Sequence, residues 1–188
     1  MTRPMERPVC AAQRPSRLAI IGQPVAHSLS PVFQRAALGA AGLSVPYDRE
    51  DVAPDQLSNA LTRLAAEGAG GNITIPHKIA ALDFVSDPGD VRNSIGAINT
   101  VFRNDAGAFV ATNTDAGGFY GPISDIPIAG ETAVVIGAGG AARAVLFALA
   151  QADIGEVVLV ARNALKAAGL PRNHASLDVL RELVESQA

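Results

Sequence analysis

One short segment of this chain combines a residue that can transfer a proton with residues that can hold a polar ligand. Asn72 and Thr74 are two residues apart on a predicted strand, so both point to one face, and Lys78 follows just past Pro76. Of the 15 basic residues only two are lysines. Arginine keeps its proton, whereas a desolvated lysine can release one. The pattern predicts Lys78 as a general acid or base; the alternative is an ordinary surface lysine.

Two further segments carry carboxylate and hydroxyl groups. Asp115 closes the segment Thr112-Asn-Thr-Asp115 at the end of a predicted strand, where it either contributes to a site or caps the following helix. Ser28 and Ser30 offer hydroxyls to a polyol or a carboxylate, and Ser30 is also the predicted helix N-cap. The three histidines are too scattered to predict a metal site.

A glycine-rich segment indicates a site for a dinucleotide. It fits the pattern G-x-G-x-x-A between a predicted strand and a predicted helix. Gly137 permits a tight turn, Gly139 lets the backbone approach a pyrophosphate, and Ala142 lets helix and strand pack closely. The free N–H groups at the helix start would face the negative charge. The predicted cofactor-binding residues are Gly137, Ala138, Gly139, Gly140, Ala141 and Ala142. The alternative is a purely structural turn.

The residues after the next predicted strand favour NADP(H) over NAD. An NAD site needs a carboxylate there for the ribose 2′-hydroxyl. This chain instead has Arg162, Asn163 and Lys166, whose two cations suit a 2′-phosphate. The alternative is a pair of solvated surface cations.

The elements that must position these residues form an α/β pattern. Strands predicted at 17–22, 45–52 and 71–75 alternate with helices starting at Ser30 and Pro54, the second with a leucine stripe. Residues 98–103 and 108–113 predict an antiparallel hairpin at the sheet edge. After a predicted hinge at 121–127 the pattern restarts, with strands at 132–136 and 156–161, a helix at 141–152 and a last helix at 176–186.

This order predicts a three-layer α/β/α substrate domain with a mostly parallel sheet, followed by an incomplete Rossmann-type nucleotide-binding domain. The expected divisions are a disordered tail at 1–16, a substrate-binding and catalytic domain at 17–121, and a partial NADP-binding domain at 127–188. About 60 residues after the hinge are few for a core of their own, so this part is expected to need docking on the first domain, a partner chain, or the missing remainder of the domain.

Composition excludes several other classes of protein. A net charge of −3 and a pI of about 5.6 argue against a nucleic-acid-binding protein, which usually presents a basic face. The single cysteine, Cys10, excludes an internal disulfide framework. No apolar run reaches the length of a membrane-spanning helix, and the N-terminus has no secretory pattern. We therefore expect a cytoplasmic protein.

Taken together, five segments resemble the shikimate dehydrogenase family, including its quinate/shikimate relatives. They occur in the family's order and cover roughly residues 17–166. The matching segments are His27-Ser-Leu-Ser-Pro31, Asn72-Ile-Thr-Ile-Pro-His-Lys78, Gly96-Ala-Ile-Asn-Thr100, Asn113-Thr-Asp115 and Gly137-Ala-Gly-Gly-Ala-Ala-Arg143. Beyond Lys166 the resemblance ends, and the chain is expected to be a C-terminally shortened member.

The resemblance implies a substrate, a reaction and a role for each residue. Shikimate or 3-dehydroshikimate would be the substrate, NADP(H) the cofactor, and Lys78 with Asp115 the catalytic pair. The residues implied to bind substrate are Ser28, Ser30, Asn72, Thr74, Lys78, Asn99 and Asp115. Two alternatives stay open: a quinate/shikimate dehydrogenase that uses NAD, and a non-catalytic remnant that only binds a shikimate-like ligand. A homodimer is also left open.

Overall fold

The computed structural model of the protein describes residues 14–85 and 90–161, together with a short strand at 174–175. The strands are β1 Leu18–Gly22, β2 Tyr47–Asp51, β3 Gly70–Ile73, β4 Thr100–Arg103, β5 Phe109–Thr112, β6 Thr132–Ile136, β7 Glu156–Val160 and β8 His174–Ala175. The helices are α1 Ser30–Ala40, α2 Leu57–Ala66, α3 Val91–Ser94, α4 Asp115–Tyr120 and α5 Gly140–Gln151. Short 3₁₀ segments lie at Pro54–Gln56, Ala80–Phe84 and Gly121–Ile123.

Five strands form the first sheet, in the order β2-β1-β3-β4-β5. The pairs β1–β2 and β1–β3 are parallel, and β3–β4 and β4–β5 are antiparallel. The predicted hairpin at the sheet edge is therefore confirmed. Its turn closes where the Asn104 N–H donates to the Ala108 carbonyl over 3.0 Å, with Gly107 at a φ of +80°.

The parallel strands leave a switch point between β1 and β3. The chain moves from β1 to β2 on one side and from β2 back to β3 on the other. Because such crossovers are right-handed, α1 and α2 lie on opposite faces of the sheet and make three layers. Ligands of open α/β sheets bind at the carboxyl ends of the strands beside a switch point. Both β1 and β3 end at this edge.

We call the five-stranded sheet and the helices packed on it the first unit. Its core lies between α2 and the sheet. Leu57, Leu61 and Leu64 form the stripe that the sequence predicts, and each is at most 1% exposed. They pack with Ile21 of β1 and Ile73 of β3 in one buried cluster. Full burial of each such side chain contributes about 1.5–3 kcal/mol, so this stripe holds α2 on the sheet.

The second unit contains β6, β7 and β8 in a parallel sheet, with α5 packed against it. The strand Thr132–Ile136 has the bounds that the sequence predicts. Its buried cluster includes Val135, Leu146 and Leu159. Another cluster joins this unit to the first, since Ala144 of α5 packs with residues of the segment before β4 and of α4.

Some predictions about individual elements were wrong. Ser30 is not the N-cap of α1 but its first residue; the cap position belongs to Leu29, and the Ser30 N–H donates to Ser28 Oγ over 3.2 Å. Strand β3 ends at Ile73, because Thr74 enters a turn in which its carbonyl accepts the His77 N–H at 2.8 Å. The helix predicted at 176–186 lies outside the described residues. None of the helices in the described part of the chain combines the length and apolar character needed to cross a membrane.

Candidate active site

Lys78 stands at the switch-point edge of the first sheet, in the turn after β3. Its backbone is held in place because its carbonyl accepts the Ile98 N–H over 2.8 Å. The neighbouring His77 is 1% exposed, and its Nε2 donates to the Val52 carbonyl at 2.7 Å. His77 is thus a structural residue that secures the turn. The Lys78 side chain is 15% exposed and points its ammonium group at Asp115.

Asp115 is the first residue of α4, and its carboxylate forms an ion pair with Lys78. The Lys78 Nζ lies 2.5 Å from Asp115 Oδ2. The alternative that Asp115 caps the helix was wrong, because Asn113 Oδ1 accepts the Asp115 backbone N–H at 2.9 Å. Asn113 therefore satisfies the helix start, and both oxygens of Asp115 remain available to other groups.

Asn99 occupies the second oxygen of Asp115. Its side-chain Nδ2 donates to Asp115 Oδ1 at 2.7 Å and to Thr114 Oγ1 at 2.9 Å. Its Oδ1 accepts the backbone N–H of Thr114 and the hydroxyl of Thr100, both at 2.9 Å. Asn99 is 7% exposed, and these bonds use all of its side-chain groups. The arrangement fixes the plane of the amide and, through it, the orientation of the Asp115 carboxylate.

A second amide, that of Asn72 on β3, extends the network to Tyr47 on β2. Asn72 donates through Nδ2 to Thr100 Oγ1 at 3.1 Å and to the Asn99 carbonyl at 3.3 Å. Its Oδ1 accepts the hydroxyl of Tyr47 at 2.5 Å. Tyr47 is 1% exposed, and burial raises its pKa to about 12. Sequence reasoning missed Tyr47, although a buried tyrosine needs a partner for its hydroxyl.

The two serines lie beside each other where α1 begins. Ser28 Oγ donates to Ser30 Oγ at 3.1 Å, and both residues are half-buried. Arg49 of β2 holds the loop, since its Nε donates to the Ser28 carbonyl at 2.9 Å. Thr74 packs on the end of β1, where a Cβ on Gly22 would lie 2.4 Å from the Thr74 methyl. All three hydroxyls thus follow strands that end at the switch-point edge.

The glycine turn between β6 and α5 has the geometry of an anion site. Gly137 has a φ of +115°, a conformation that favours glycine, and its N–H donates to the Val160 carbonyl at 2.7 Å. A Cβ on Gly137 or Gly139 would meet no atom of the described residues within 4 Å, so these residues leave the space above the turn open. Within residues 14–85 and 90–161, no side chain caps α5, so its first N–H groups have no side-chain partner from this part of the chain.

These features fit the pyrophosphate of a dinucleotide, because a free helix N-terminus attracts negative charge and the open glycines admit it closely. The predicted contacts to a 2′-phosphate through Arg162, Asn163 and Lys166 lie outside the described residues. Among the described residues, no group of three or more His, Cys, Asp or Glu side chains could hold a metal ion.

The fold thus brings together most of the residues that the sequence singles out. One hydrogen-bond network contains Lys78, Asp115, Asn99 and Asn72. Thr74 lies at the start of the turn that carries Lys78. The serine pair is held separately at the start of α1. The glycine turn adjoins the network, since a Cβ on Gly140 would lie 2.5 Å from Lys78 Cβ. The Lys78–Asp115 ion pair, whose groups could transfer a proton, and the glycine turn therefore lie side by side.

The chain thus combines a doubly wound α/β unit, which has a lysine–aspartate pair at its switch point, with a Rossmann-like unit. Known proteins share this arrangement. Residues 20–101 match the family model described as shikimate dehydrogenase substrate binding domain. The chain is 46% identical over 153 residues to a shikimate dehydrogenase (NADP(+)) from Sphingopyxis alaskensis, an alignment that covers 80% of this chain and 56% of that protein.

Solved structures show the same similarity. The shikimate 5-dehydrogenase of Thermus thermophilus in complex with shikimate superposes with a TM-score of 0.76 and 37% identity, over 88% of this chain and 65% of that one. The same enzyme in complex with NADP(H) and shikimate gives a TM-score of 0.74 and 37% identity over the same shares of the two chains. The chain belongs to the shikimate dehydrogenase family. It spans about half the length of the curated relatives it matches.

Proposed function

We propose that this chain binds shikimate and NADP(H) and catalyses the reversible reduction of 3-dehydroshikimate to shikimate, a step of aromatic amino acid biosynthesis. The observation that carries the proposal is the Lys78–Asp115–Asn99 network at the switch-point edge, directly beside the glycine turn of α5. Relatives named shikimate dehydrogenase (NADP(+)) support the same reaction.

The reaction needs a hydride and a proton at a ketone, and the chain offers a proton donor. NADPH, when bound, supplies the hydride to the carbonyl carbon. Lys78 in its ammonium form gives a proton to the carbonyl oxygen as the hydroxyl forms, and in the reverse direction its amine accepts that proton. Asp115 aligns the lysine through their ion pair, and Asn99 keeps the aspartate from rotating.

The remaining site residues bind rather than react. The hydroxyls of Ser28 and Ser30 would turn from each other to donate to the substrate carboxylate, since hydroxyl hydrogens rotate freely. Thr74 and Asp115 would contact the ring hydroxyls, and Asn72 would shape the same wall of the site. Asn99 would contact a ring hydroxyl by exchanging one of its present hydrogen bonds for one to the substrate. We assign substrate binding and catalysis to residues 17–121 and NADP binding to residues 127–188. The cytoplasmic location and the homodimer stay predictions.

The test is turnover of the purified chain with shikimate and NADP⁺, followed by the absorbance of NADPH. We expect Lys78→Met to lower kcat by about 10²–10⁴-fold, the usual contribution of a positioned proton donor. Shikimate binding, measured by calorimetry, should change far less because the other contacts remain. The matched control is Arg35→Met, which removes an exposed cation paired with Asp48 at 2.7 Å. That variant should turn over like the unmodified chain.

Three outcomes distinguish the alternatives. Equal turnover by Lys78→Met and the unmodified chain would rule out the assigned role of the lysine. Shikimate binding without turnover, at every NADP⁺ concentration tried, would instead identify a binding protein. Preferred activity on quinate with NAD⁺ would identify the other specificity of the family.

A further inference from the structure

Gly140, the first residue of α5, lies directly against Lys78 of the proposed active site. A Cβ built on Gly140 would lie 2.5 Å from Lys78 Cβ and 3.2 Å from Lys78 Cδ. On another side it would lie 3.4 Å from the Cβ of Ala97. The 2.5 Å to Lys78 Cβ is well below ordinary carbon–carbon contact, so the helix sits against the lysine only because position 140 has no side chain.

Lys78 has little freedom to move away from this contact. The atom that would clash first is its Cβ, which is attached to the backbone, rather than the flexible end of the side chain. That backbone is tied to the sheet because the Lys78 carbonyl accepts the Ile98 N–H at 2.8 Å. At its other end, the side chain is held by the ion pair with Asp115. A change at Gly140 must therefore move α5, the lysine, or both.

Gly140 differs from the other two glycines of the turn. A Cβ on Gly137 or Gly139 would meet no atom in the part of the chain that the structure describes, and this open side fits a bound pyrophosphate. We propose that Gly140 is a positioning residue for Lys78: its missing side chain sets where the ammonium group stands relative to Asp115 and to the glycine turn. This role rests on the proposed function and replaces a direct phosphate contact as the reason for glycine at this position.

The size of the effect follows from the distances. To reach ordinary contact, a Cβ at position 140 needs about 1 Å more separation from Lys78 Cβ than the 2.5 Å present. A misplacement of about 1 Å at a reacting group costs about 10²-fold in rate. Gly140→Ala should therefore lower kcat by about 10²-fold. Gly139→Ala places its methyl in the open space of the turn and should raise the KM for NADP⁺ instead.

The decisive measurement needs neither cofactor nor substrate. The chain has two lysines, so lysine labelled with ¹³C at Cε gives two side-chain NMR signals, and Lys166→Arg leaves that of Lys78. Asp115→Asn calibrates how this signal responds to loss of the ion pair. We expect Gly140→Ala to move the signal in the same direction and Gly139→Ala to leave it in place.

A double-mutant cycle covers the case in which Gly140→Ala unfolds the chain. Lys78→Gly removes the Cβ that would clash, so Gly140→Ala should destabilise that background much less than the unmodified chain. Equal destabilisation in both backgrounds would overturn the proposal. An unmoved Lys78 signal, with only the KM for NADP⁺ raised, would overturn it as well. A chain without any turnover would contradict the proposed function, while the NMR and stability results would still decide the position of Lys78.

Discussion

The charge balance around Asn99 can be tested with a substitution that changes one atom. Asn99→Asp keeps the shape of the side chain and the bonds that its Oδ1 accepts from Thr114 and Thr100. It replaces the Nδ2 donor, 2.7 Å from Asp115 Oδ1, with a carboxylate oxygen. Two like charges then face each other where a hydrogen bond stood.

The magnitudes decide how the variant responds. At 2.7 Å and an effective dielectric constant of about 20, the repulsion between two unit charges is about 6 kcal/mol. Keeping an ordinary aspartic acid protonated at pH 7 costs about 4 kcal/mol, since its pKa is about 3.9 and each unit is about 1.4 kcal/mol. Protonation is the cheaper response, so the folded variant binds one proton between the two carboxylates. This cost of protonation, about 4 kcal/mol at pH 7, is the upper limit to the destabilisation, and the nearby ammonium of Lys78 lowers the actual loss below it.

The sign of the pH dependence follows from this proton. The unfolded variant releases it near pH 4, whereas the folded variant retains it, so the native state binds more protons. The free energy of unfolding of Asn99→Asp, relative to the unmodified chain, should therefore fall by up to about 1.4 kcal/mol per pH unit between about pH 4 and pH 7. Urea unfolding at several pH values measures it.

Asn59→Asp is the matched control, because Asn59 is exposed on α2 and the same chemical change meets solvent there. Its free energy of unfolding should stay within about 0.5 kcal/mol of the unmodified chain at every pH. A loss of stability in Asn99→Asp that does not vary with pH would refute the reasoning, because it would show that no proton is retained between positions 99 and 115.

The remaining predictions concern the first sheet and the helix α1 beside it. Gly71→Ala should lower the free energy of unfolding by more than about 3 kcal/mol in urea titrations, because a Cβ there would lie 1.9 Å from the Ala19 carbonyl oxygen of the paired strand. Gly39→Ala, on an open side of α1, should instead add about 0.5–1 kcal/mol. Burial raises the pKa of Tyr47 to about 12 from an ordinary 10.0, so stability present below pH 10 should fall by about 2–3 kcal/mol as the pH rises to 12, with the Tyr47→Phe variant lacking this loss.

Much of the fold could be predicted from local patterns. The strand Thr132–Ile136 is an apolar run that ends at Gly137, and the leucine stripe of α2 repeats at helical spacing. The helix caps were predicted wrongly, because in each case a neighbouring side chain binds the first N–H of the helix in place of the predicted capping residue. Ser28 satisfies the first N–H of α1, and Asn113 satisfies that of α4, although Ser30 and Asp115 are equally good capping residues.

The site was less accessible to local reasoning because its bonds join distant parts of the chain. Asn99 and Asp115 are 16 residues apart, and Tyr47 and Asn72 are 25 apart. No spacing rule connects such pairs, so Asn99 entered only through the resemblance to a family. Tyr47 entered through neither route, because its strand, Tyr47–Asp51, is otherwise made of charged residues and gives no sign of a buried hydroxyl.

The alanines of α5 determine how closely this helix packs against the first unit. As sequence, they indicate only a good helix former. In the structure, Ala144 and Ala148 are 0% and 5% exposed and pack in one cluster with Ala97. Because the distance between packed elements depends on the side chains between them, these methyl groups let α5 approach closely enough for Gly140 to touch Lys78. Larger residues in this cluster would therefore move the lysine without contacting it, so the packing of α5 controls the geometry on which the proposed reaction depends.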